Sequence, residues 1–240
     1  MGQLTASGRD TAYVWVGRDA GGQPDPAAVL LRRAGTVLLD RAETELVLTH
    51  GPGGRPVVRV DEHTTRSVEL AVSVSRTAGL VVVAARRAGA VGVDVERIRP
   101  LPALALARRW FPPAESAWLA DRPEAGRAVD FLRLWTAKEA VGKALGLGLR
   151  DGGLRREMPP PGLPLRPVPG GEILRVGHPE LGGGLVLAVA VHATAHVEVE
   201  VVQRAGHGVA AERSASVERT SLPVVVRGNW SSRCSTRGRL

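Results

Sequence analysis

The spacing of apolar residues changes twice along this chain, and that change restricts its fold more than any single residue does. Between positions 68 and 95 the apolar residues fall in three short runs, 68–75, 80–85 and 90–95, parted by Arg-Thr-Ala-Gly and Arg-Arg-Ala-Gly connections. This predicts strands joined as an antiparallel meander. Helical spacing follows: 103–110, a second segment opened by Pro112-Pro113 and carrying Trp118, and a long one over about 123–145, stopped by Gly146 and Gly148. In the long one Phe131, Leu134, Trp135, Val141 and Leu145 repeat at three- and four-residue intervals, which defines a buried stripe. A Pro/Gly-rich loop at 151–171 then leads to strand-like runs at 172–176, 185–192 and 197–201. Earlier, 13–16 reads as an edge strand, and 27–39 as a helix entered at Pro26 and interrupted near Gly35. Strands, then helices, then strands predict an α+β fold rather than an alternating parallel sheet. Strands with a helix occur twice, dividing the chain into an N-terminal half, 1–88, and a C-terminal half, 89–202. Periodicity ends at Gln203, and 203–240 reads as a disordered basic tail.

With 44% hydrophobic residues the 240-residue chain can build one sizeable core or two sharing it. Its longest aliphatic runs fall far short of the roughly 20 residues that span a bilayer, so a cytoplasmic protein without membrane contact is expected. The single cysteine, Cys234, has no partner within the chain. The net charge of +8 is uneven: seven arginines and two glutamates put +5 in 203–240, leaving +3 on the rest. A body so mildly basic, with eight aromatic residues and no nucleic-acid motif, argues against a nucleic-acid binder. Thirty of the 32 basic residues are arginine, and the only lysines, Lys138 and Lys143, share the segment WTAKEAVGK. Lysine kept against that background suggests a place that needs a compact ammonium.

Three groups of residues are suited to chemistry. In Val91-Gly92-Val93-Asp94-Val95-Glu96, residues two apart on a strand share a face, so Asp94 and Glu96 project together. Such a pair is stable solvated at a strand end, or around a hard cation such as magnesium; the spacing alone leaves both readings open. On the long helix Glu139 and Lys143 are one turn apart, with Trp135 a turn earlier. They address one ligand together, or form an ordinary helix-stabilising pair. Ser75-Arg76-Thr77 closes a strand before a glycine turn, as a phosphate cradle or simply as a turn. His192 and His196 have spacing compatible with zinc, but a strand end does not make the rings converge.

Taken in order, GRP (54–56), SRTAG (75–79), VGVDVE (91–96) and FLRLWTAKEAVGKALGLGL (131–149) resemble the 4′-phosphopantetheinyl transferase superfamily, specifically its Sfp-type enzymes. The resemblance runs from about 54 to 153; beyond that only the strand pattern agrees. It implies a monomer built as a pseudo-dimer of two similar α+β halves, each a small antiparallel sheet packed with helices, with coenzyme A in the cleft between them. It further implies Mg2+ held by Asp94, Glu96 and Glu139, with Glu139 also the base toward a serine of an apo acyl or peptidyl carrier protein. By the same resemblance Lys143 meets the coenzyme A phosphates and acts with Glu139 in catalysis, and Lys138 precedes the glutamate as the motif requires and is counted with the substrate-binding residues. Ser75 and Arg76 fall near the pyrophosphate and 3′-phosphate, and Arg55 stands where lysine is usual. The implied reaction transfers the 4′-phosphopantetheine arm to the carrier serine and releases 3′,5′-ADP. Only about fifty residues precede GRP, fewer than the family uses. The N-terminal half therefore reads as shortened, or the true start lies elsewhere, with Arg32, Arg33 and Arg41 as substitutes for the usual basic grip. A catalytically impaired homologue that binds coenzyme A or carrier protein is the competing reading.

Overall fold

The computed structural model describes residues 11–18, 25–60, 68–150, 152–162, 165–170, 173–192, 196–201 and 224–227. In chain order the elements are β1 (Thr11–Arg18), α1 (Pro26–Leu39), β2 (Leu46–His50), β3 (Pro56–Val60), β4 (Val68–Thr77), β5 (Leu80–Arg86) and β6 (Val91–Arg97), then α2 (Ala103–Trp110), α3 (Pro113–Ala120) and α4 (Glu124–Ala144). They are followed by β7 (Arg166–Pro167), β8 (Leu174–Gly177), β9 (Leu185–His192), β10 (His196–Val201) and β11 (Val224–Arg227). The α+β class holds. One sheet has the order β11-β10-β1-β5-β4-β3-β2, the other β6-β9-β8-β7.

The two sheets pack face to face, and helices cover the outer faces: α1 on the first, α2 to α4 on the second. Strand periodicity divides the side chains accordingly. Val14 and Val16 of β1 and Val82 of β5 meet Val93 and Val95 of β6 and Val189 of β9 between the sheets. Tyr13, Trp15, Val81 and Val83, one residue out of phase, lie under Leu30, Leu31 and Leu38 of α1. On the far side Phe131, Leu134 and Val141 of α4 pack with Phe111, Leu119 and Ala188. The stripe expected on the long helix is thus the one it buries.

Several expectations are corrected. β1 is a central strand, with β10 parallel on one side and β5 antiparallel on the other; a strand apolar on both faces belongs in the middle of a sheet. The meander stops after two strands. β4 and β5 pair as a hairpin, but β1 already occupies the other edge of β5, so β6 leaves to pair with β9 in the second sheet. The hairpin of β2 and β3, closed by the 51–55 turn, was not foreseen. Gly35 does not interrupt α1: a Cβ there would lie 2.6 Å from Leu46 Cδ1, so the glycine lets the helix sit down on β2. The second sheet is wholly antiparallel, but the first is mixed, because β1–β10 and β10–β11 run parallel. β10, sequentially in the C-terminal half, therefore belongs to the first sheet, and β11 forms within the stretch read as tail. The rest of that stretch, and Cys234, lie outside the described residues. No helix among the described residues is long and apolar enough to cross a membrane.

Candidate active site

β6 is an edge strand of the second sheet, and its unpaired edge runs beside β4 of the first. The backbone N–H groups of Val93 and Val95 donate to Ser73 Oγ (3.1 Å) and Ser75 Oγ (3.3 Å), so two hydroxyls stand in for a missing ladder. Ser75 then donates its own proton to Asp94 Oδ1 at 2.7 Å. A serine pair two residues apart on β4 thereby fixes both the β6 backbone and the carboxylate it carries.

From the other face, α4 crosses β6 in close contact. A Cβ on Gly92 would lie 1.9 Å from the Ala140 carbonyl oxygen and 2.7 Å from the Ala144 nitrogen, so only glycine permits this approach. The closeness lets Lys143 reach the strand: its Nζ donates to Asp94 Oδ1 at 2.8 Å and to the Val93 carbonyl at 3.1 Å. Asp94 is 7% exposed, and its Oδ1 accepts from an ammonium and a hydroxyl at once. Burial first, and then the Asp94 charge, hold the Glu139 carboxyl above the usual carboxylate range; Lys143 opposes this and Glu96 adds to it. Glu96 is held by Arg99, whose Nη1 donates to its Oε2 at 2.8 Å.

Ser75, Arg76, Asp94, Glu96, Glu139 and Lys143 line one cavity of ≈ 420 Å3, walled on one side by Trp135. Trp135 is held in turn by ring contacts with Trp110 (5.7 Å) and Phe131 (6.2 Å). Arg76 reaches across to Asp25, the N-cap of α1, at 2.7 and 2.9 Å. That hydrogen bond is the main reason the Asp25 carboxyl sits below its ordinary range. A second cleft of ≈ 780 Å3 shares Val74 and Lys143 with the first and extends to the 51–55 turn, Arg55 and Arg150. Arg55 also contacts Glu69 at 3.3 Å.

Lys138 must be corrected. Its side chain is 0% exposed and points away from the cavity, to Glu115 at 2.7 and 2.9 Å and to the Arg156 carbonyl, with Nζ 4.8 Å from the Phe111 ring centroid. Glu115 also accepts the Met158 N–H at 2.7 Å. Burial pushes Glu115 up and Lys138 down, and each draws the other back. Lys138 therefore ties α3 and the 156–158 segment beneath α4 and is no ligand for a substrate. Ser75 does line the cavity, but its hydroxyl serves Asp94. Ser73, Gly92, Glu115 and Arg150 escaped the sequence reading; only Gly92, a glycine among alternating valines, carried a local signal of close backbone approach.

Among the described residues no three side chains converge as a metal-holding group. Asp94 is turned onto Lys143 and Ser75, and Glu96 onto Arg99. The donor set nevertheless fits a hard divalent cation: three carboxylates line one cavity, and burial first, then the neighbouring Asp94 and Glu96 charges, disfavour the Glu139 carboxylate in a way that a cation would offset.

Residues 90–160 match the family model of the 4′-phosphopantetheinyl transferase superfamily. The matched stretch takes in Asp94, Glu96, Glu139 and Lys143. Among curated relatives, the Synechocystis sp. protein slr0495 is 38% identical over 122 residues, 50% of this chain and 48% of its own. The 4′-phosphopantetheinyl transferase HetI of Nostoc sp. is 36% identical over 81 residues, 33% of this chain and 34% of its own. The 4′-phosphopantetheinyl transferase gsp of Aneurinibacillus migulanus is 36% identical over 59 residues, 25% and 24% of the two chains. The chain thus spans about half the length of the first of these relatives and less of the others.

Proposed function

We propose that this protein is a magnesium-dependent 4′-phosphopantetheinyl transferase that moves the phosphopantetheine arm of coenzyme A onto a serine of an apo acyl or peptidyl carrier protein. The observation that carries the reading is the meeting of Asp94 and Glu96, from β6, with Glu139 and Lys143, from α4, around one cavity inside the superfamily segment.

Asp94, Glu96 and Glu139 would hold the magnesium ion, which when bound neutralises charge on the pyrophosphate and on the departing group. The protein's own residues supply the rest. Burial, and then the neighbouring carboxylates, hold the Glu139 carboxyl above the usual carboxylate range, which makes it a stronger proton acceptor. It takes the proton of the carrier serine as that oxygen forms its bond to phosphorus. The bond between phosphorus and the bridging pyrophosphate oxygen breaks, and 3′,5′-ADP leaves. Lys143 exchanges part of its contact with Asp94 for phosphate oxygens, and a compact ammonium suits that transfer. Arg76, on the cavity wall, adds positive charge on the substrate side. Ser75 keeps Asp94 oriented.

The test is incubation with magnesium, coenzyme A and several apo carrier proteins, followed by intact-mass measurement of the carriers. Addition of one phosphopantetheine to a carrier is the expected result. Coenzyme A binding without an adduct on any carrier would replace this reading with that of an impaired, binding-only homologue.

A further inference from the structure

Two of the three carboxylates on the catalytic cavity already face a cation of the chain's own. Lys143 donates to Asp94 Oδ1, and Arg99 Nη1 donates to Glu96 Oε2, each at 2.8 Å. Lys143 is part of the cavity lining, whereas Arg99 lies outside it, three residues past Glu96 on the segment that follows β6. Local chemistry fixes that segment. The Ile98 N–H donates to the Gly184 carbonyl at 2.8 Å, which ties the segment to the turn before β9. Pro100 comes next and restricts the backbone at Arg99 to extended conformations. Arg99 Nη1 also donates to the Arg97 carbonyl at 3.1 Å, so the chain's own backbone aims the guanidinium at Glu96.

We infer that Arg99 is a positioning residue for the metal site: it holds Glu96 when no divalent cation is bound, competes with the cation for that carboxylate, and thereby sets the affinity of the site. The inference rests on the transferase reading above, in which Glu96 is one of the three magnesium-holding carboxylates. Three like charges on one cavity repel one another, and Lys143 and Arg99 offset part of that repulsion in the metal-free protein. Lys143 has a further task on the phosphates; Arg99 has its contact with Glu96. The two side chains of that contact are 54% and 26% exposed, and a pair so open to solvent changes an equilibrium by at most about fivefold. It is therefore strong enough to orient Glu96 and weak enough to yield to a doubly charged ion.

The sign of one substitution separates competition from mere support. Mn2+ is the probe, because electron paramagnetic resonance counts the unbound ion, and Mg2+ is then read by displacement; the full chain is titrated without coenzyme A and again with it. In each condition in which the wild type binds Mn2+, Arg99→Ala should bind it about three- to fivefold more tightly. Arg97→Ala removes a neighbouring charge whose Nη2 donates instead to the Ala78 carbonyl, and should stay within about twofold of wild type. A side chain that only braced the fold would give weaker cation binding when removed. That result, an unchanged affinity in Arg99→Ala, or equal tightening by Arg97→Ala overturns the assignment while the transferase reading stands. A wild-type chain that takes up no Mn2+ in either condition overturns both.

Discussion

Both lysines hold their ammonium groups on partners brought by other elements. Lys138 Nζ is enclosed by Glu115, the Arg156 carbonyl and the Phe111 ring, whereas Lys143 Nζ donates to Asp94 and the Val93 carbonyl at the cavity wall. The two side chains do different work, and substitutions should separate them. Lys138→Met leaves the Glu115 carboxyl buried without its cation, a situation that costs about 3 to 5 kcal/mol. Chemical denaturation should show that loss, and Lys138→Met combined with Glu115→Leu should recover most of it. A single variant of wild-type stability would mean that the pair is not what holds α3 to α4. Glu139→Gln, on the cavity face, should instead leave the unfolding free energy within about 0.5 kcal/mol of wild type and lower the rate of carrier modification at least about a hundredfold. Turnover at the parental rate would remove Glu139 from the mechanism.

Between elements, the contact of α4 with β6 decides whether a site exists. Gly92→Ala would set a methyl group into the Ala140 carbonyl and push the helix off the strand. Helix and strand each carry half of the chemistry, so the shift should destabilise the fold by more than about 2 kcal/mol and abolish transfer even though no cavity-lining residue is altered. Full activity in that variant would mean that α4 can move without disturbing Lys143 and Asp94. A second junction lies at the other face of α4. His178, just past β8, donates through Nε2 to the Arg133 carbonyl at 2.8 Å and accepts the Gly162 N–H at Nδ1. Burial is the main cause that takes its pKa from 6.5 down to about 4. Between these values the unfolded chain binds the proton and the folded one does not, so stability rises with pH across that window. The full contribution is present above pH 6.5 and disappears as pH falls toward 4, about 3 kcal/mol in all. Denaturation at a series of pH values should show this slope in wild type and a flatter one in His178→Gln.

On the scale of the whole molecule, the two sheets share an interior, and the chain closes the first sheet only late. β10 pairs with β1 across some 180 residues of sequence, along the register Thr11↔His196 to Val16↔Val201. Without it β1, apolar on both faces, becomes an open sheet edge. A chain ending at His192 should therefore melt at lower temperature and associate in light scattering, although every cavity residue is retained. A monomeric truncation of wild-type stability would show that the late strand is dispensable.

Relations inside a single element were legible in the sequence. The i, i+2 placing of Asp94 and Glu96, the i, i+4 placing of Glu139 and Lys143, the buried stripe of α4 and the end of that helix near Gly146 all follow from strand and helix periodicity, which the chain imposes locally. Relations between elements were not. Periodicity cannot say that β6 leaves its neighbours because the edge of β5 is taken, or that β1 is central. Nor can it say that Lys138 turns into the core while Glu139, its neighbour, faces the cavity beside a serine from another sheet. Those outcomes depend on which sheet edges remain free and how closely two backbones can approach, and only the packed tertiary structure sets either.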